Sequence, residues 1–320
     1  MDYKANYETW ISDPRLNEEG KKELLSIAQD EKEKEYRFGA LPEFGTAGMR
    51  GIIGYGTNMM NVYTVMRATQ GLAEFVKSLG EEAMKRGVVI SYDTRRKSDE
   101  FAKAAAGVLA KNGVKAYLFD DVHPVPMLSY AVRYLKTVAG IMITASHNPK
   151  EYNGYKVYNE LGCQITDSAA KAITDKISKC DYFSDYTLNT EFIEVLDERV
   201  EKAFIKEIKA LSLTKITDCN APSVVYSPLH GTGRKYVLNI LKEIGITEVH
   251  TVAEQEMPDG NFTTCPYPNP EEKEALALAL DKANICKADL VMATDPDADR
   301  IGIAVLNENG EYILLNGNET

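Results

Sequence analysis

At 320 residues the chain exceeds a single domain of roughly 100–200 residues and predicts two. Hydrophobic residues make up 44% and charged residues 27%, the balance of an ordinary globular chain with cores to bury. Thirty-seven Lys and Arg stand against 48 Asp and Glu, a formal net charge of −11, which argues against the basic footprint of a nucleic-acid partner.

The five cysteines, Cys163, Cys180, Cys219, Cys265 and Cys286, are odd in number and include no Cys-x-x-Cys pair. Neither a disulfide framework nor a zinc cluster is expected, and reduced thiols in a cytoplasmic protein are. Met1-Asp2-Tyr3-Lys4-Ala5-Asn6 lacks the apolar core of a signal peptide. No stretch approaches the roughly 18 apolar residues of a spanning helix, so no membrane partner is expected.

Residues 1 to about 37 are charged and helix-like, with Leu24, Leu25 and Ala28 on one face, and predict an N-terminal helical extension. Phe44 to Gly51 is punctuated by glycine and must turn. A helix is expected over Val62 to Leu79, a strand over Val88 to Tyr92, a helix from about Asp99 to Lys111 and a strand from Val114 to Phe119. A helix over Met127 to Leu135 and an apolar strand over Val138 to Ile143 follow, and then a mostly helical, charged stretch from about Asp167 to Leu211. The pattern then begins again. Strands are expected at Ser223–Ser227, Glu248–Val252, Asp289–Thr294 and Ile301–Val305, with helices at Lys235–Ile244 and Glu271–Asn284. Alternating strands and helices predict α/β layering, here two consecutive three-layer α/β domains with mixed sheets flanked by helices, divided near residue 210.

Two constellations carry chemistry. The first is Ser146 in Thr144-Ala145-Ser146-His147-Asn148-Pro149, directly after a buried strand. Pro149 biases Asn148 out of the helical region, so the hydroxyl sits on a loop at a strand end, where nucleophiles and phosphate sites concentrate. A polar turn after a core strand would read the same way. The second is Asp295-Pro296-Asp297-Ala298-Asp299-Arg300 between two apolar runs. Carboxylates at a spacing of two repel unless neutralised, and an oxygen-rich set suits Mg²⁺ or Ca²⁺. Water could screen a solvated acidic turn, but the flanking strands tie this one to a core. An EF-hand is excluded, because Arg300 and Leu306 stand where Gly and Glu are required. Gly231-Thr232-Gly233 lacks the third glycine of a dinucleotide fingerprint, having Tyr236 there.

Together these pieces resemble the α-D-phosphohexomutase superfamily. Phe44–Gly51 resembles its first-domain glycine-arginine loop, Thr144–Pro149 with Asn153-Gly154-Tyr155-Lys156 its phosphoserine loop, and Asp295–Arg300 its Asp-x-Asp-x-Asp-Arg metal loop. Ser227–Gly233, Lys156–Tyr158 and Gly162–Ile165 look most like the phosphoglucomutase/phosphopentomutase branch.

The resemblance implies that Ser146 carries a phosphoryl group, with Mg²⁺ held by Asp295, Asp297, Asp299 and an oxygen on Ser146. It implies interconversion of glucose 1-phosphate and glucose 6-phosphate through glucose 1,6-bisphosphate, with mannose and pentose phosphates as alternative substrates. Arg50, Arg300 and Asn148 would contact substrate, and Lys156 or His147 would handle the proton of the attacking or leaving hydroxyl. Asp93 and Arg95 are expected to brace the loops, and His230 to serve its own turn. A serine-dependent metal phosphatase and a non-enzymatic metal-binding module are the rival readings. The family uses four domains. The resemblance covers two, with the third expected to begin near Leu314, so most sugar recognition is expected in domains of the same protein beyond this chain.

Overall fold

The computed structural model describes residues 2–183, 191–213 and 221–320. Cys219 and part of the stretch expected to be helical lie outside them. Three short helices, α1 (Tyr3–Ser12), α2 (Glu18–Ser26) and α3 (Glu31–Phe38), form the N-terminal extension. Each starts at an acid or amide, Asp2, Asn17 or Asp30, whose side chain accepts from backbone N–H groups of the first turn. Trp10 anchors the extension, packing edge-on against Phe38, Tyr63 and Phe183. Leu24 is fully buried, but Leu25 is 59% exposed, because α2 turns only one narrow stripe inward.

The first sheet is built from β1 (Met49–Ile52), β2 (Val88–Tyr92), β3 (Ala116–Phe119), β4 (Ala139–Ile143), β5 (Tyr152–Asn159) and β6 (Ile193–Leu196), in the order β1-β5-β4-β2-β3-β6. β2 runs parallel to β3 and β4, and β5 runs antiparallel between β4 and β1. Five helices belong to this half: α4 (Val62–Ser78), α5 (Glu81–Arg86), α6 (Ser98–Lys111), α7 (Val125–Leu135) and α8 (Asp167–Ile177). α9 (Arg199–Ala210) follows β6. Val88 and Ile90 point into a core with α4, α6 and α8, while Val89 and Met142 point into one with α7 and α9. The strand period of two thus buries both faces, which explains why β4 reads as an unbroken apolar run and β2 as one broken only by Ser91.

The second sheet has β7 (Val224–Ser227), β8 (Val249–Thr251), β9 (Leu290–Thr294), β10 (Ile301–Leu306) and β11 (Tyr312–Leu315), in the order β11-β10-β9-β7-β8. α10 (Gly233–Glu243) packs one face and α12 (Lys273–Cys286) the other, with a single turn, α11 (Ala253–Glu256), between them in sequence. β7 is parallel to β8 and β9, and β10 returns antiparallel to β9. The inner wiring β10-β9-β7-β8 repeats β5-β4-β2-β3 strand for strand. In both halves the turn from the third strand to its antiparallel neighbour leaves a strand at its carboxyl end, where α/β sheets place their sites. One such turn carries Ser146 and the other carries Asp295, Asp297 and Asp299.

The glycine-punctuated stretch turns as expected, over Thr46-Ala47 between the bridged Gly45 and Gly48, and Met49 to Ile52 then form edge strand β1. Three expectations are corrected. The stretch expected to be helical after Asp167 contains β6, which extends the first sheet beside β3. β5 is a strand where the sequence pattern predicts none. Leu314 and Leu315 do not start a new domain, because they pair with β10 as part of β11.

Candidate active site

Ser146 adopts a left-handed backbone, φ 55°, which is uncommon for a residue with a side chain. Two contacts hold it there. Its N–H donates to Thr144 Oγ1 at 2.8 Å, and its carbonyl accepts from Arg95 Nη2 at 2.5 Å. Gly154 on β5 lets the loop close, since a Cβ there would meet the Thr144 carbonyl oxygen at 2.5 Å. The buried Ser146 hydroxyl donates to Asp295 Oδ2 at 3.0 Å and lies 3.3 Å from His147 Nδ1.

The acidic turn is fixed from both halves of the chain. The Pro296 carbonyl accepts from Thr232 N at 2.9 Å and Oγ1 at 3.0 Å, and the Asp297 carbonyl accepts from Val125 N at the start of α7 at 2.9 Å. Gly231 admits this approach, because a Cβ there would lie 2.4 Å from Pro296 Cα. One oxygen from each of Asp295, Asp297 and Asp299 lies within 4.8 Å of the others. Thr144 Oγ1 and Lys156 Nζ each donate to Asp297 Oδ2 at 3.0 Å, and Lys156 also lies 3.8 Å from Asp299.

Electrostatics follow from this crowding. Burial, then the neighbouring Asp297 and Asp299, pushes Asp295 well above the usual carboxylate range. Burial and Asp297 raise Asp299 as well. Burial also opposes the charge on Asp297, but Lys156 and the donated hydrogen bonds outweigh it and hold Asp297 low. Burial likewise opposes the charge on Lys156, and Asp297 outweighs it in turn, so the amine titrates above its ordinary value. The crowding of like charges therefore favours either a bound proton or an added cation. Asp297 Oδ1 is buried and accepts no hydrogen bond, the state of an oxygen left for a cation. Three converging carboxylates with an orphaned oxygen fit a hard divalent ion such as Mg²⁺.

Arg50 stands on β1 opposite Gly154 and donates to Asn148 Oδ1 at 3.0 Å, so Asn148 orients a cation toward the loop. Gly48 turns the chain into β1 at φ 76°, where a Cβ would collide with the Tyr155 carbonyl at 1.9 Å. The Arg300 N–H donates to Asp295 Oδ1 at 3.1 Å. Burial, then the positive charges of Arg300 and Arg50, lowers the His147 pKa and keeps the imidazole neutral. The fold thus gathers Ser146, His147, Asn148, Arg50, Lys156, Asp295, Asp297, Asp299 and Arg300 around one point.

Sequence reasoning missed two neighbours. Thr144 ties the serine loop to Asp297, and Tyr267 packs edge-on against His147 with ring centroids 5.7 Å apart. Thr144 had a signal in its place at the strand end, whereas Tyr267 lies in a proline-rich loop with none. His230 bonds the Met257 carbonyl at 3.1 Å and Thr264 Oγ1 at 2.8 Å, outside the cluster. No helix among the described residues is long and apolar enough to cross a membrane.

A loop serine thus faces clustered carboxylates, each on the corresponding turn of a repeated α/β/α unit. Residues 41–183 match the family model for phosphoglucomutase/phosphomannomutase α/β/α domain I, and residues 202–309 match domain II. The chain belongs to this family.

It is 40% identical to a phosphoglucomutase of Staphylococcus haemolyticus, over 86% of this chain and 50% of that protein. It is 35% identical to a mouse phosphopentomutase, over 100% of this chain and 54% of that protein. A solved structure from Thermus thermophilus, assigned as a phosphomannomutase, superposes with a TM-score of 0.71 at 30% identity, covering 85% of this chain and 58% of that one. The chain spans about half the length of the curated relatives it matches.

Proposed function

We propose that this chain is the phosphoryl-transfer half of a phosphoglucomutase, which interconverts glucose 1-phosphate and glucose 6-phosphate through a phosphoserine at Ser146. Residues 1–210 form the domain bearing the serine and residues 211–320 the domain bearing the carboxylates. The observation that carries this reading is the 3.0 Å contact from Ser146 Oγ to Asp295 Oδ2, inside a cluster with room for a cation.

Asp295, Asp297, Asp299 and an oxygen on Ser146 would hold Mg²⁺, which would neutralise the charge on the transferring phosphoryl group. The remaining roles belong to side chains. A sugar hydroxyl attacks the phosphorus, the bond from Ser146 Oγ to phosphorus breaks, and the bisphosphate turns to return its other phosphoryl group to Ser146. His147, held neutral beside Ser146, is suited to accept the hydroxyl proton. Lys156, held protonated by Asp297, is suited to donate one. Arg50, set by Asn148, and Arg300 supply positive charge for substrate phosphate.

The relatives are about twice as long, so sugar choice and distal phosphate binding would reside in further domains of the whole, cytoplasmic protein. The 320-residue chain alone should accept phosphate yet isomerise poorly. The test is peptide-mapped mass spectrometry after incubation with glucose 1,6-bisphosphate and Mg²⁺. A gain of one phosphoryl group on Ser146 is the expected result. A folded, Mg²⁺-loaded protein left unmodified contradicts the reading, and steady phosphate release without isomerisation would favour a phosphatase.

A further inference from the structure

We propose that Arg95 is the positioning residue that sets the pose of Ser146, by directing every terminal guanidinium hydrogen to a main-chain carbonyl of the serine loop. Nη2 donates to the Ser146 and Asn148 carbonyls at 2.5 Å each, and Nη1 donates to the Pro149 and Tyr152 carbonyls at 2.9 and 3.2 Å. The loop from Ser146 to Tyr152 thereby closes around one planar group.

The clamp is itself clamped. Arg95 Nε lies 3.2 Å from Asp93 Oδ2, and both side chains are 0% exposed. Asp93 Oδ1 accepts from Arg95 N at 3.0 Å and from Ser98 Oγ at 2.8 Å, which ties the pair to the first turn of α6. The second domain closes the open face. The Phe262 ring, fully buried, sits with its centroid 4.9 Å from the guanidinium carbon. Gly260 permits that approach, since a Cβ there would lie 2.8 Å from Arg96 N and the Thr94 carbonyl.

The geometry explains why the residue is arginine. Ser146 is left-handed, and its carbonyl must be held from one side while Thr144 holds its N–H from the other. A lysine has three donors and no planar fork, so it cannot reach four carbonyls in one plane. The four terminal hydrogen bonds of Arg95 go to backbone carbonyls rather than to the Ser146 hydroxyl or to Asp295, Asp297 and Asp299. Its positioning effect therefore passes through the backbone of Ser146. Misplacing a reacting oxygen by about 1 Å costs on the order of 100-fold in rate.

The chemical consequence rests on the phosphoserine reading, and the geometry does not. The experiment therefore takes two readouts from Arg95→Lys and Arg95→Ala in the 320-residue chain. The first is the rate of Ser146 phosphorylation by glucose 1,6-bisphosphate with Mg²⁺, at saturation and at half-saturation. The maximal rate should fall on the order of 100-fold in Arg95→Lys, with the half-saturating concentration within about twofold. Guanidinium ion should recover part of the rate in Arg95→Ala and none in the parent.

The second readout is amide hydrogen exchange of Ser146, Asn148 and Tyr152, which should quicken about tenfold or more in Arg95→Lys while β2 and β4 stay protected. Phe262→Leu keeps all four carbonyl bonds and should show a smaller change of the same kind. It stands in if the Arg95 variants lose their cooperative unfolding transition. Parent-like phosphorylation and exchange in a folded variant overturn the proposal, as does a variant that loses only thermal stability. A parent chain that never phosphorylates Ser146 overturns the phosphoserine reading instead, and hydrogen exchange then decides the clamp.

Discussion

Lys156 Nζ donates to Asp297 Oδ2 at 3.0 Å, with the Lys156 side chain 6% exposed and the Asp297 side chain 0%. The lysine comes from β5 of the first sheet and the aspartate from the turn after β9 of the second. One buried pair therefore joins the two halves at the site itself.

Removing one partner of a buried pair leaves the other charge uncompensated. Lys156→Met should destabilise the metal-free protein by about 3 kcal/mol, read from denaturant midpoints. Added Mg²⁺ should recover part of that loss, because a cation replaces the missing ammonium. A variant as stable as the parent without Mg²⁺ would show that Asp297 stays neutral, contrary to the pairing.

The proposed Mg²⁺ site exists only in the folded cluster, with no counterpart in the unfolded chain. At about 100 times its dissociation constant Mg²⁺ should add about 2.7 kcal/mol of stability. Asp297→Asn should abolish the gain, since it weakens the carboxylate that carries the orphaned Oδ1. Thermal melts with EDTA and with Mg²⁺ read both effects. Equal melting temperatures under the two conditions contradict the cation site.

Gly231 buttresses the acidic turn without touching its carboxylates. Gly231→Ala should push Pro296 away and lower Mg²⁺ affinity by roughly 10–100-fold, the range for residues that orient ligands from behind. Isothermal titration checks this. Unchanged affinity would mean that the turn keeps its shape without the close backbone contact.

Acid stability should depend on Glu201 of α9, which accepts from His123 Nε2 at 2.9 Å and Lys235 Nζ at 2.7 Å. The His123 hydrogen bond first, and then Lys235 against the opposing effect of burial, holds its carboxyl at about 2, below an ordinary 4.5. A depressed pKa contributes stability above the unfolded value and loses it as pH falls from about 4.5 toward 2. Allowing for solvent screening, Glu201→Gln should cost about 2 kcal/mol near neutral pH and almost nothing near pH 2. Urea unfolding of both proteins across that window gives the difference, and a gap independent of pH contradicts the assignment.

The strands that sequence reveals are those whose chemistry is only burial. β2 and β4 are buried on both faces and almost wholly apolar, and they read directly, as do β7 and β9. β5 was hidden because Tyr152 to Asn159 interleaves Asn153 and Lys156 with tyrosines, polar groups buried there to serve the site. β1 was hidden by its glycine, and β6 and β11 by being four-residue edge strands. The site residues were legible as three separate blocks, because each block keeps its chemistry in consecutive positions. That Thr144 reaches Asp297 across 153 positions, and that Phe262 covers Arg95, are facts of folding without local pattern.

The central claim is that Ser146 carries phosphate beside the carboxylate cluster. Its most direct measurement is peptide-mapped mass spectrometry of the 320-residue chain and its Ser146→Ala variant after exposure to glucose 1,6-bisphosphate and Mg²⁺. The account predicts one phosphoryl group on Ser146 in the parent, none in the variant and none in EDTA. A folded parent that stays unmodified, or a phosphoryl group that persists in Ser146→Ala, would contradict it.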